Sequence, residues 1–228
     1  FHGRTFMAMT LTNRPEPYKN GFVTRANDVY RAEYPYLFRN PWGATTEEEL
    51  GEKALAALKN QVKYSIGESE VAAFIIEPVA GEGGFIQAPR NFLAGLAEYA
   101  AEIGALWIDD EVQAGVGRTG KMWAVDHFGL EPDLMTTAKG IGSGFPIAAV
   151  TGKAQVMDSL SPGMLGTTFG GNPTAAAAAI ATLDAVVDEG IVERAQELGE
   201  KARARLQVLA EQQPRIGELR GVGTMLAL

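Results

Sequence analysis

The chain has 228 residues, 46% of them hydrophobic and 21% charged, which is ordinary for a globular protein of one large domain, or one domain and part of another. Its net charge of −8 argues against a nucleic-acid binder, the absence of Cys excludes disulfides and thiolate metal sites, and two histidines, His2 and His127, are too few for a His-based zinc centre. No apolar run reaches the length of a membrane span, so no membrane association is expected and the cytoplasm is the default location.

Taken in order, Phe1-His2-Gly3-Arg4-Thr5 opens the chain with no element before it to place it. Residues from about Asn13 to Trp42, rich in Pro, Tyr, Arg and Asn, predict a long ordered excursion of the kind that usually serves function. Thr45-Thr46-Glu47-Glu48-Glu49 predicts a helix start with acids in its first turn, and Leu50, Ala54, Leu55 and Leu58 follow at helical spacing. Val71–Ile76 reads as a strand buried on both faces, ending in Glu77-Pro78 and Gly81-Glu82-Gly83-Gly84. Phe92–Ile103 has helical period, with Leu93, Leu96 and Tyr99 on one stripe and Gly104 as the stop. A strand from Leu106 completes a right-handed parallel unit, and the runs Leu134–Ala138 and Ala148–Val150 extend the pattern. Asn172-Pro173 caps and starts an Ala-rich helix to about Val187. Ile191–Leu209 predicts a second helix with Val192, Ala195, Leu198 and Leu206 on its buried face, and Arg220–Gly223 reads as a turn into a final strand. This alternation gives an α/β fold. The opening on Phe1 and the apolar ending Thr224–Leu228 lead us to expect an internal segment of a longer polypeptide.

The most informative stretch is Leu106–Gly144. One apolar run ends in Asp109-Asp110-Glu111 and a glycine loop, Gly115–Gly120; the next ends in Lys139 and a second loop, Gly140–Gly144. Two strands thus carry charge at their carboxyl ends, where open parallel sheets place ligands. The pattern Gly115-x-Gly117-x-x-Gly120, with Asp133 as a ribose-binding acid, matches a dinucleotide fingerprint. That motif needs a long helix opening at its third glycine, and Lys121–Phe128 allows barely two turns before Gly129 and Pro132. Gly115–Lys121 nearly spells a P-loop, but Met122 stands where a magnesium-binding hydroxyl is required.

Five segments, in matching order and spacing, resemble motifs of the class III (omega-type) aminotransferases, the group that includes 4-aminobutyrate and acetylornithine aminotransferases. They are Phe1–Thr5, Glu77–Gly84, Asp110–Gly120, Thr137–Gly140 with Pro146, and Thr168–Pro173. The resemblance implies a pyridoxal-phosphate transferase of fold type I: a three-layer large domain with a mostly parallel sheet over 1–190, incomplete at its amino end, then a linker helix and the start of a small, truncated carboxyl-terminal domain over 191–228. It implies the cofactor pyridoxal 5'-phosphate, a homodimer or a tetramer, and an amino donor and a 2-oxo acid as partners. The implied reaction moves an amino group from an omega-amino acid, such as 4-aminobutyrate or an ornithine-type amine, to 2-oxoglutarate. An amino-acid racemase of the same family is the alternative, suggested by Tyr34–Gly43; a dinucleotide-binding oxidoreductase is a distant one.

Residue by residue, the resemblance makes Lys139 the Schiff-base lysine, which a dry pocket would keep neutral and nucleophilic. A carboxylate beside the pyridine nitrogen keeps the ring an electron sink. Neighbours on a strand face opposite ways, so pattern alone does not choose between Asp109 and Asp110; the resemblance assigns the role to Asp110. It implies cofactor contacts from Val112, from Gln113 at the phenolic oxygen, from Phe1 stacking on the ring, from Thr168 to the phosphate across a dimer interface, and from His2, which holds a loop rather than doing chemistry. Arg4 is the candidate for a substrate carboxylate, by its bidentate fork. Glu77 joins it in the substrate-binding set, with Glu82, which resembles the family's switch acid. His127 reads as structural, and no metal is expected.

Overall fold

The computed structural model describes residues 1–22 and 26–228; the middle of the expected excursion, 23–25, lies outside the described residues. A short helix α1 (Phe6–Leu11) opens the chain, and helix α2 (Glu47–Gln61) begins where the sequence predicts. The Thr46 hydroxyl accepts from the Glu49 N–H at 3.2 Å, and the Glu49 carboxylate accepts from the Thr45 N–H at 2.8 Å. One otherwise orphaned first-turn donor is thereby satisfied, and three acids lie in the first turn at the positive helix end.

Strand β1 (Ala73–Ile76) leads into a small antiparallel pair, β2 (Val79–Ala80) and β3 (Ile86–Gln87), then helix α3 (Arg90–Ile103) and strand β4 (Leu106–Asp110). Gly104 ends α3 at φ 74°, a left-handed position open to a residue without Cβ. Strands β5 (Leu134–Thr137) and β6 (Ala149–Gly152) follow, then helices α4 (Ala154–Met157), α5 (Pro173–Asp188) and α6 (Ile191–Gln212), and a hairpin of β7 (Arg220–Val222) and β8 (Met225–Ala227). The main sheet runs β1-β4-β5-β6; β1 pairs with β4 from Ala73↔Leu106, and β4 with β5 from Ile108↔Leu134, both parallel.

The largest core lies where α2 and α3 pack on each other and on β4. Ala54, Leu58, Phe92, Leu93, Leu96, Tyr99 and Trp107 meet there, with Val125 and Phe128 from the loop after β4. The apolar stripe predicted on α3 is the buried one. The close approach depends on Gly95, where a Cβ would sit 2.2 Å from the Leu55 Cδ2. Burying a leucine such as Leu93 contributes about 1.5–3 kcal/mol. On the other flank, α5 packs against the turn after β5 and against α6. The Asn172 side chain accepts from the Ala175 N–H at 2.9 Å, with Pro173 in the first turn, as predicted. Among the described residues, no helix is long and apolar enough to cross a membrane.

Four local expectations are corrected. The Ala149 strand does not extend the parallel pattern. It runs antiparallel to β5, because residues 140–148 form a tight loop and a parallel return needs a crossover of a dozen residues or so. Among the described residues β1 pairs with β4 alone, at the edge of the sheet, and its residues are half-buried or exposed rather than covered on both faces. Leu198 is 48% exposed: α6 is rolled so that Gly199 is buried, and a Cβ there would lie 2.1 Å from the Gly223 carbonyl oxygen. Arg220–Val222, read as a turn, is the first strand of the terminal hairpin.

Candidate active site

Parallel pairing of β4 with β5 sets their carboxyl ends side by side. Asp110 lies opposite Thr136, and the Glu111 N–H bonds the Thr136 carbonyl at 2.9 Å. Asp110 therefore closes one strand, and Lys139 follows the end of the next by two residues. Strand alternation divides the three acids. Asp110, 3% exposed, accepts from the Val112 N–H on Oδ1 at 3.0 Å and from His2 Nδ1 on Oδ2 at 2.6 Å. The proton of that second contact belongs on Nδ1, since a carboxylate only accepts.

Asp109 and Glu111 point the other way, into the protein. Asp109 is 0% exposed and, among the described residues, neither of its oxygens meets a donor; nor does Glu111 Oε2, while Glu111 Oε1 takes the Val125 N–H at 2.8 Å. Burial, then the facing Glu111 carboxyl, push Asp109 up to about 9. Burial also raises Glu111, against the pull of the Ala124 and Val125 N–H groups. A proton shared between the two carboxyls is the partner that chemistry supplies here. The position that the pattern left level with Asp110 is thus an inward, uncharged acid.

Lys139 sits on a short 3₁₀ turn, Lys139–Gly142, at φ 47°, a left-handed conformation that costs a non-glycine residue about 1 kcal/mol or more. Its side chain is exposed, at the edge of a concavity lined by Val116, Arg118, Pro146, Ile147 and Thr182. The dry pocket expected around it is not built by these residues: Lys139 is exposed and the concavity beside it is open.

The amino-terminal segment folds over the β1 and β4 ends. Glu77, 6% exposed, accepts from the Phe1 nitrogen at 2.8 Å on Oε2 and from the Gly81 N–H at 3.0 Å on Oε1, so both oxygens hold backbone. Tyr34 pins the same turn, its hydroxyl 3.0 Å from the Glu77 carbonyl and 3.2 Å from that of Ile86. Arg4 is exposed and lies over the Tyr18 ring at 4.9 Å and the Phe1 ring at 5.9 Å. Glu82 accepts from the Tyr18 hydroxyl at 2.8 Å and from Gln113 Nε2 at 3.0 Å. These bonds, Tyr18 first, hold its carboxyl below the usual range, helped by the Lys139 charge nearby. Thr168 lies on the exposed loop before α5.

The two nucleotide motifs dissolve in the structure. Gly115–Gly120 closes on itself through the bonds Gly117 N–H to Met122 O, 3.1 Å, and Gly120 N–H to Gly117 O, 3.0 Å, and only a 3₁₀ turn, Ala124–His127, follows. Asp133 is a brace, accepting from the Trp107 N–H and from Lys153 Nζ, both at 2.8 Å. His127 is structural as expected: its Nε2–H donates to the Thr119 carbonyl at 3.1 Å, and burial lowers its pKa.

A buried carboxyl group and a primary amine at the ends of adjacent strands, with the Phe1–His2 segment laid over Asp110, suit a flat ring that carries an aldehyde. The profile of the Aminotransferase class-III family matches residues 1–228. The chain belongs to this family. Among its relatives, the 4-aminobutyrate aminotransferase of Mycobacterium leprae is 44% identical over 230 residues, covering 100% of this chain and 51% of that protein. The 5-aminovalerate aminotransferase DavT of Pseudomonas putida is 39% identical over 228 residues, covering 100% of this chain and 52% of its own length. The chain thus spans about half the length of these relatives. An amine transaminase from an uncultivated Pseudomonas species, solved in the PLP-bound (internal aldimine) form, superposes with TM-score 0.92 at 32% identity, over 98% of this chain and 52% of that one. The fold is that of the pyridoxal-phosphate transaminases, α/β of fold type I, and pyridoxal phosphate is the cofactor of this class.

Sequence reasoning missed two features of the site. Tyr18 has no periodic or motif signal, and its role is visible only once the excursion is folded. The Asp109–Glu111 pair had a signal, three consecutive acids ending an apolar strand, but alternation alone does not say which face is buried.

Proposed function

We propose that the protein of which this chain is part transfers the amino group of an omega-amino acid, such as 4-aminobutyrate, 5-aminovalerate or an ornithine-type amine, to 2-oxoglutarate. The observation that carries this reading is Asp110, buried and fixed by His2 and by the Val112 N–H, on the strand beside the one that leads to Lys139. Membership in the class III family and relatives that act on 4-aminobutyrate and 5-aminovalerate support it. When bound, pyridoxal phosphate supplies an aldehyde that condenses with amines and a ring that accepts an electron pair.

The chain's own residues do the rest. The Lys139 amine would hold the cofactor and, once the substrate amine has displaced it, the freed amine would accept the proton from the substrate carbon that bears nitrogen and give it back one position away. Asp110, fixed in place by two donors, would face the ring nitrogen and favour a positive charge there. Phe1 and Val112 pack on the ring, Gln113 and His2 fix its surroundings, and Thr168 reaches the phosphate of a second copy in a homodimer. Arg4 receives the substrate carboxylate, with Glu82 facing it and Glu77 holding the segment in place. A cytoplasmic location fits this chemistry.

The test is the donor profile of the full-length protein loaded with pyridoxal phosphate. Stoichiometric conversion of an omega-amino acid and 2-oxoglutarate is expected, lost on the order of 10²–10⁴-fold in Lys139→Ala. Inversion of a single enantiomer without keto-acid consumption would overturn the reading in favour of a racemase.

A further inference from the structure

Tyr18 stands between the two charged groups that face the substrate side. Its ring, 8% exposed, packs on Phe1 with centroids 4.6 Å apart, and the Arg4 guanidinium lies over it at 4.9 Å. Its hydroxyl donates to Glu82 Oε2 at 2.8 Å, and Gln113 holds the other Glu82 oxygen. One side chain thus presents an aromatic face to a cation and a hydrogen-bond donor to an anion. We propose that Tyr18 is a specificity-determining positioning residue, holding Arg4 and Glu82 as one array that receives a ligand carboxylate. This rests on the carboxylate-binding role proposed for Arg4.

The two halves of Tyr18 act by separate physics. The ring anchors Arg4 through cation–π attraction and restricts where the guanidinium points. The hydroxyl fixes Glu82, and it is the largest influence lowering the pKa of that acid, ahead of Gln113 and Lys139. Arg14 and Arg4 are the cations that act on Tyr18 itself. An ionised Glu82 opposes a second anion near Arg4, so carboxylate affinity rises as Glu82 takes up a proton.

The experiment titrates pentane-1-sulfonate, an amine-free mimic of the ligand carboxylate that stays ionised throughout, into the full-length, cofactor-loaded protein by calorimetry across acid to neutral pH. Tyr18→Phe keeps the ring, so neutral-pH affinity stays within about twofold, but the acid-side rise moves to higher pH because the Glu82 carboxyl loses its main donor. Tyr18→Leu removes the ring as well, and affinity falls about 2- to 30-fold. Glu82→Gln abolishes the acid-side rise. Equal affinities in wild type and Tyr18→Leu, or an acid-side rise unmoved in Tyr18→Phe, would overturn the proposal. Tyr18→Phe changes shape least and keeps the test valid should the leucine variant fail to fold. The readout is independent of turnover: a protein that transfers no amino group yet shows this split refutes the proposed reaction and leaves the array standing.

Discussion

Asp109→Asn tests the buried acid pair most directly. Asp109 is fully buried, and burial with the facing Glu111 raises its pKa to about 9, whereas an unfolded aspartate has a value of about 3.9. Between those pH values the folded protein keeps a proton that the unfolded chain gives up. The pair's cost to stability is therefore absent below about pH 4 and grows by about 1.4 kcal/mol per pH unit as pH rises towards 9. At about pH 7 it is on the order of 4 kcal/mol. Asparagine has nearly the same shape, donates to Glu111 Oε2 without a titrating proton, and removes the linkage. Urea unfolding of both proteins between about pH 5 and 8 should show the Asn variant gaining on the wild type by roughly 4 kcal/mol across that range. A gap that stays constant with pH, or one that narrows as pH rises, would refute the idea that Asp109 is held protonated.

Three further outcomes follow from the same geometry. On the proposed assignment of Asp110 to the ring nitrogen, Asp110→Asn should cut kcat about 10²–10³-fold in an amino-transfer assay; Asp109→Asn, on the opposite face, should leave kcat within a few-fold. Gly199→Ala should destabilise the protein by about 1–3 kcal/mol in denaturant melts, because its Cβ would lie 2.1 Å from the backbone oxygen of Gly223, which is not a flexible side-chain end. Leu93→Ala, at a position 0% exposed between α2, α3 and β4, should cost about 2–5 kcal/mol with kcat unchanged for the fraction that remains folded.

Much of this protein was determined by its sequence alone. Helical period with capping residues gave α2, α3 and α5 close to their observed bounds, because caps and apolar stripes act within a few residues of chain. The motif order carried the family, since Lys139 and the acids are tied to strand ends by local sequence. Tertiary structure decided what depends on residues far apart. It alone turned Asp110 towards His2 and Asp109 towards Glu111, ran β6 antiparallel, rolled α6 off Leu198, and left Lys139 open on its strained turn. The Tyr18 array joins residues 1, 4, 18, 82 and 113, five positions with no common period. Its physical basis is the packing of an aperiodic excursion over two strand ends, and no local pattern encodes which side chains that packing brings into contact.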